Sequence, residues 1–290
     1  MDKKKIWNIV KLIFKLCLTT LLIWFVFQKI NYEQVKSVFR RSDPLFIFFA
    51  WVFLFLSQIV SSWRLMGFLH AGGIPISFRS NLRLYFLGLF YNNFLPGGIG
   101  GDGYKIYLLR NTYKKPVKSI FLSIILDRVS GLWAICVIGS LFLWLLQVWF
   151  ISNYSLLFII VLISVFYYIL IRYFLPGYAD YFLTGHLKAV VAQSLQVLSI
   201  VMILLSQHFT GSFTPYLFSF LLSSIAAAVP VSIGGAGIRE YVMLNVATVL
   251  PIDVPLAVFM TLTFYILSLL ISAPGLWYVW KKSHEEDHPG

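Results

Sequence analysis

Asp127 and Arg128 stand side by side inside an apolar run over 119–147, where charge is least expected. They come about ten residues after its start, roughly 15 Å along a helix at 1.5 Å per residue, which is near the middle of a bilayer. An ionised group at that depth faces protein or a water-filled cavity and carries a partner, so the pair marks either a binding site or an architectural lock. Neighbours on a helix point about 100° apart, so the two cannot simply neutralise each other. The expected partners are Arg239 or Lys105 for Asp127, and Asp102, Glu240 or a ligand for Arg128.

Most of those partners belong to a decapeptide that occurs twice. Pro96-Gly97-Gly98-Ile99-Gly100-Gly101-Asp102-Gly103-Tyr104-Lys105 returns as Pro230-Val231-Ser232-Ile233-Gly234-Gly235-Ala236-Gly237-Ile238-Arg239. Both copies read P-x-x-I-G-G-x-G-x-[KR] at a constant offset of 134 (230 − 96), without a gap. A turn at membrane depth needs positive φ and close backbone approach, which glycine accepts cheaply. Glycine amides ahead of a helix start also present N–H groups and a positive dipole end, suited to a phosphate or carboxylate. The candidate anion-binding set is therefore Gly97, Gly98, Gly100, Gly101, Asp102 and Lys105 from the first copy, and Gly234, Gly235, Gly237, Arg239 and Glu240 from the second. Asp127 and Arg128 complete it with Asn92 and Asn93, which alternatively only cap the backbone of the first turn. Gly-rich breaks also serve ordinary helix packing in membranes, and that is the competing reading of either copy alone. The G-x-G-x-x-G match over 98–103 lacks a βαβ context and is dismissed as a dinucleotide fingerprint.

The elements that must position these residues are membrane helices. The chain has 290 residues, 59% hydrophobic and 12% charged, with a mean hydropathy of +0.83, which excludes a soluble domain and points to an all-α polytopic bundle. Six full spans are expected at 7–27, 44–63, 119–147, 154–172, 189–209 and 255–280. Two apolar pieces remain, 80–96 and 216–230, each followed by a glycine-rich copy and a short helical segment, 104–111 and 236–250. Tyr104 to Asn111 is too short and charged to cross, so these segments are expected to be re-entrant, although the second could be a full helical pair. Three full spans separate the copies, so the repeats, about 44–147 and 189–280, are inverted within one transmembrane domain over 1–282. Residues 283–290 read as a short disordered tail.

Charge sets the expected orientation. About seventeen of the 23 Lys and Arg residues fall on one side, which makes that side and both termini cytoplasmic in an inner membrane. Arg64, Arg83 and Arg110 read as interfacial side chains, and Trp63 as an interfacial aromatic near a span end. The net charge of +12 follows from this bias and from no nucleic-acid surface. Lys3, Lys4 and Lys5 imitate a signal peptide, but no small-residue cleavage site follows Phe25-Val26-Phe27, so an uncleaved first span is expected. Cys17 and Cys136 lie in apolar runs and suggest neither disulfide nor metal, and His70, His186 and His208 are scattered over loops or span ends. Neither a catalytic constellation nor a cofactor is expected.

Phe90-Tyr91-Asn92-Asn93-Phe94-Leu95-Pro96 with its glycine-rich continuation to Asp102, Leu126-Asp127-Arg128-Val129-Ser130-Gly131-Leu132, and Pro230 to Glu240 occur in an order that resembles the flippase-like lysylphosphatidylglycerol synthase transmembrane family. The resemblance spans nearly the whole chain. It implies a lipid flippase module, like that of the multiple peptide resistance factor, and makes the candidate set a lipid-headgroup site. Other members are similar to handlers of glycolipids, polyprenyl-linked sugars or hopanoids. The substrate implied is an anionic phospholipid or a polyprenyl-linked lipid, with a homo-oligomer and a separate lipid-modifying enzyme left open as partners. The sequence stops after its last span without a soluble aminoacyl-transferase domain, so intrinsic lysyl transfer is not expected. A lipid-modifying enzyme such as a phosphatidylglycerol lysyltransferase, and a structural subunit of an envelope pathway, are the competing readings.

Overall fold

A computed structural model of the chain describes Ser37 and residues 40–94, 100–146, 153–228 and 237–287. Its regular elements are all helices. The expected span 7–27 lies outside the described residues, as do Gly97, Gly98, Gly234 and Gly235.

Helix α1, Pro44–Ala71, starts where the Asp43 carboxylate accepts the Leu45 N–H at 2.8 Å and proline takes the first position. It ends at Gly72 and Gly73, the latter with φ 76°. Helices α2, Phe78–Phe94, and α3, Gly100–Tyr113, follow. Pro116 precedes α4, Val117–Leu145. Helix α5, Asn153–Phe174, gives way to α6, Pro176–Leu205, at a proline that cannot continue the first helix but suits the start of the second. Helices α7, Thr214–Ala228, α8, Ile238–Val246, and α9, Val254–Asp287, complete the chain. Helices α1, α4, α6 and the Val254–Gly275 part of α9 are long and apolar enough to cross a membrane. Phe158, Leu162, Val165, Phe166 and Ile169 of α5 are exposed, a surface that lipid covers. The protein is a multi-pass helical membrane protein.

Hydrogen bonds between sequence-distant residues fix the two ends of the bundle. At one, the Asp43 N–H donates to Ser206 O (2.9 Å) and the Asp253 N–H to Tyr216 Oη (2.7 Å), while Phe209 packs on Tyr216. At the other, Ser123 Oγ donates to Phe68 O (3.0 Å) and Tyr178 Oη to Ser119 O (3.1 Å), beside a cluster of Ile74, Ile76, Leu109 and Ile120. The pair α2–α3 therefore has both outer ends at the Tyr178 end. The pair α7–α8 has both outer ends at the Asp43 end. Each pair is an antiparallel hairpin: Tyr91 meets Tyr104 (4.5 Å between centroids) and Tyr85 meets Lys105 in the first, while Ser224 meets Arg239 in the second. The two hairpins enter the bundle from opposite ends, as inverted repeats require.

Buried polar side chains seat the first hairpin. Asn81 Nδ2 donates to Ser62 O (2.7 Å) and Ser62 Oγ (2.8 Å), and Tyr85 Oη donates to Gln58 Oε1 (3.0 Å), so α2 is bonded to α1. Helix α9 closes over α2 at Gly275, where a Cβ would lie 2.5 Å from Phe86 O. Ser199 Oγ donates to Ala50 O (2.8 Å), tying α6 to α1 through the largest apolar core.

Three expectations are corrected. Helix α6 begins at Pro176 instead of residue 189; Gly177, Asp180, Gly185 and His186 lower the local hydropathy, yet Gly185 and Ala189 allow α6 to lie close on α1. Helix α1 runs past 63 to Ala71, which moves Trp63 and Arg64 from a span end to well inside the helix. Residues 283–287, expected as tail, continue α9, because no Gly or Pro follows Gly275 before Asp287 to stop it.

Candidate functional site

The two adjacent charges of α4 point to different helices. Asp127 Oδ1 accepts from Arg64 Nε of α1 at 2.7 Å, with both side chains about one-tenth exposed. Arg128 Nε donates to Asp102 Oδ2 in the first turn of α3, and Lys105 Nζ reaches Asp102 Oδ1 at 3.3 Å. Of the three partners expected for Arg128, the structure shows Asp102. The partner of Asp127 is neither Arg239 nor Lys105 but Arg64, which is buried instead of interfacial: α1 continues a further two turns, so Arg64 cannot reach water at its end. His186, expected in a loop or at a span end, is buried within α6 with its ring stacked on Phe182 (4.0 Å).

The first hairpin's tip is built by contact between backbones. Gly101 lies so close to Gly88 that a Cβ would overlap the Gly88 carbonyl, and the Lys105 stem fills the space beside Gly88. The Gly101 N–H donates to Asn92 Oδ1 at 2.9 Å, so Asn92 caps the backbone, the alternative role foreseen for it. Asn93 is partly buried and its Nδ2 has no hydrogen-bond partner. Gly100 opens α3.

The second hairpin repeats the plan with different chemistry. Gly237 has φ 80°, and its N–H donates to Glu240 Oε2 at 2.9 Å, so Glu240 caps α8. Arg239, aligned with Lys105, donates from Nη1 to Ser224 Oγ at 2.8 Å and lies over the Phe220 and Phe264 rings at 5.8 and 5.4 Å. Lys105 lies over Tyr85 at 5.2 Å. In each copy the cation is held against an aromatic ring of the preceding helix.

Between the hairpins is a cavity of about 300 Å³. Arg64, Arg128 and Arg239 line it, with Tyr85 of α2 and Ser224 and Ala228 of α7. Gln58 and Ser61 of α1 and Gln193 and Gln196 of α6 face it from the other side. Of the described residues in the candidate anion-binding set, only Arg128 and Arg239 reach the cavity wall. Asp127 stands behind it through Arg64, while Asn92, Asp102, Lys105, Gly101, Gly237 and Glu240 hold the hairpin tips, with Asn93 and Gly100 beside them in sequence. The neutral polar wall went unread because a lone Gln or Ser inside a span hardly alters its hydropathy. Spacing carries the missed signal: Gln58, Ser61 and Arg64, and separately Gln193 and Gln196, recur every three residues on one helix face. A larger concavity of about 660 Å³, lined by Leu143, Phe218, Leu222, Ile225, Val242 and Val249, is apolar and opens beside the second hairpin.

A family model described as the lysylphosphatidylglycerol synthase TM region matches residues 12–275. A UPF0104 membrane protein of Pyrococcus horikoshii is 27% identical over 114 residues, which cover 39% of this chain and 33% of that protein.

Proposed function

The chain belongs to the lysylphosphatidylglycerol synthase transmembrane-region family, and on that premise we propose that it moves a lipid between the leaflets of the membrane. The observation that carries this reading is the convergence of two oppositely inserted hairpins on one polar cavity lined by three arginines. In this reading the hairpins are re-entrant, and their tips lie near the bilayer midplane. The headgroup occupies the cavity, with its anion against Arg128 and Arg239, whose guanidinium groups offer several donors to a phosphate. The acyl chains stay in lipid, and the apolar concavity beside α7 and α8 offers them a surface near the polar cavity, since the neighbours Ser224 and Ile225 of one helix line the one and the other. Rocking of one repeat against the other exposes the headgroup to each leaflet in turn. The protein changes no covalent bond of the lipid, and a separate enzyme supplies it. The Tyr178 end and both termini face the cytoplasm, in accord with Arg110, Lys114, Lys115 and Lys118 at that end.

Reconstitution tests the proposal. Purified protein in liposomes is expected to accelerate transbilayer movement of a labelled anionic phospholipid, and Arg128→Ala and Arg239→Ala to lower the rate at least tenfold while remaining folded. Equal movement in protein-free liposomes, or unchanged rates in both variants, refutes it.

A further inference from the structure

Resting on the same site, we infer that the cavity selects a monoanionic phosphodiester headgroup whose remaining groups are neutral hydroxyls, and discriminates against headgroups bearing an ammonium. The argument begins with where the acids are. Of the eleven acidic residues, Asp2 and Glu33 lie outside the described residues, and Asp43, Asp180, Asp253, Glu285, Glu286 and Asp287 belong to the ends of helices. Among the described residues, Asp102, Asp127 and Glu240 are the acids nearest the cavity. The glycine-rich stretches 95–99 and 229–236 contain no acid in sequence and can add none.

All three of these carboxylates have donors already. Asp127 Oδ1 accepts from Arg64, Asp102 accepts from Arg128 and Lys105 with its two oxygens, and Glu240 Oε2 accepts its own helix's first amide. None of the three lines the cavity. Arg64, Lys105, Arg128 and Arg239 stand against them, a formal surplus of one positive charge. One phosphodiester carries one negative charge and balances that surplus.

The hydrogen-bonding groups point the same way. Gln193 is 5% exposed, faces the cavity, and its Nε2 has no partner, so a buried donor awaits an acceptor. Gln58 Oε1 already accepts from Tyr85 Oη and Ser224 Oγ from Arg239, which reduces what each can offer a further donor. Phosphate oxygens and hydroxyls can accept from this surface. An ammonium, primary or quaternary, accepts no hydrogen bond and would meet guanidinium groups of like charge, at a cost that is large where water is scarce.

The test is a lipid panel read twice. Detergent-solubilised protein is presented with phosphatidylglycerol, lysyl-phosphatidylglycerol and phosphatidylcholine, and bound lipid is quantified by native mass spectrometry. The same lipids, labelled, are then followed across proteoliposome membranes. Phosphatidylglycerol is expected to bind at least tenfold more tightly than the other two. Equal or tighter binding of the lysyl ester, or no preference over phosphatidylcholine, overturns the inference. Gln193→Glu, which places a carboxylate in the cavity, is expected to bring the two glycerol lipids toward parity, and an unchanged ratio overturns the assignment to this cavity. Displacement of lipid by an equal concentration of soluble glycerophosphoglycerol would reassign the ligand to a free phosphodiester. Selective binding without transbilayer movement sinks the transport proposal and leaves this one standing, whereas movement without selectivity does the reverse.

Discussion

Replacing Asp127 with Asn removes one charge from the Arg64–Asp127 pair and keeps its volume. At 2.7 Å and with side chains 9% and 10% exposed, the pair has little water to screen it. An exposed ion pair is worth about 0–1 kcal/mol. Removing one member of a buried pair leaves the other charge uncompensated and costs about 3–5 kcal/mol, the range expected for Asp127→Asn. Reversible unfolding in mixed micelles, titrated with sodium dodecyl sulfate and followed by tryptophan fluorescence, measures the difference. Arg64→Met with Asp127→Leu should recover most of the loss, because both charges then leave together. A double-mutant cycle on the two sites should accordingly be strongly non-additive. Destabilisation by Asp127→Asn below about 1 kcal/mol, or additive single variants, would refute the claim that this pair locks α4 to α1.

Glycines at the first tip should behave in opposite ways. Gly101→Ala drives a Cβ into the Gly88 carbonyl and is expected to cost roughly 1–3 kcal/mol in the same titration, whereas Gly103→Ala, in the same helix with nothing within 4 Å, should stabilise by about 0.4–1 kcal/mol. Asn92→Ala deletes the acceptor of the Gly101 N–H and should cost about 0.5–2 kcal/mol and speed amide exchange at the start of α3, with Asn92→Asp restoring both. Gly67→Ala collides with the Tyr181 ring, so it should destabilise by about 1–3 kcal/mol in the wild type and much less beside Tyr181→Leu.

Long apolar runs made α1, α4, α5 and α9 legible as helices, and the decapeptide repeat made the two hairpins legible as related. What hydropathy could not convey was which residues share a buried face. Arg64 reads as a boundary because a charge inside a span is costly, yet that cost is offset by a carboxylate 63 positions away in sequence. Gly177, Asp180 and His186 read as an interruption because average hydropathy cannot see a helix that packs on protein instead of lipid. Asp102 stands among the three partners the sequence offers Arg128 because both belong to motifs distinctive enough to be compared, whereas Gln58, Gln193 and Ser224 have no motif and acquire meaning only where three helices meet.

The midplane position proposed for the hairpin tips has an electrical consequence. A monoanionic headgroup held there has crossed about half of the field on its way from one surface, and crosses the other half on leaving. One elementary charge moved through 100 mV is worth about 2.3 kcal/mol, or roughly 1.2 kcal/mol for each half of the passage. With the cell interior negative, both halves favour outward movement, and the steady-state ratio between leaflets shifts roughly fifty-fold. A membrane potential would therefore suffice to polarise the lipid without any nucleotide, and collapsing it with valinomycin and potassium should return the two leaflets toward equality.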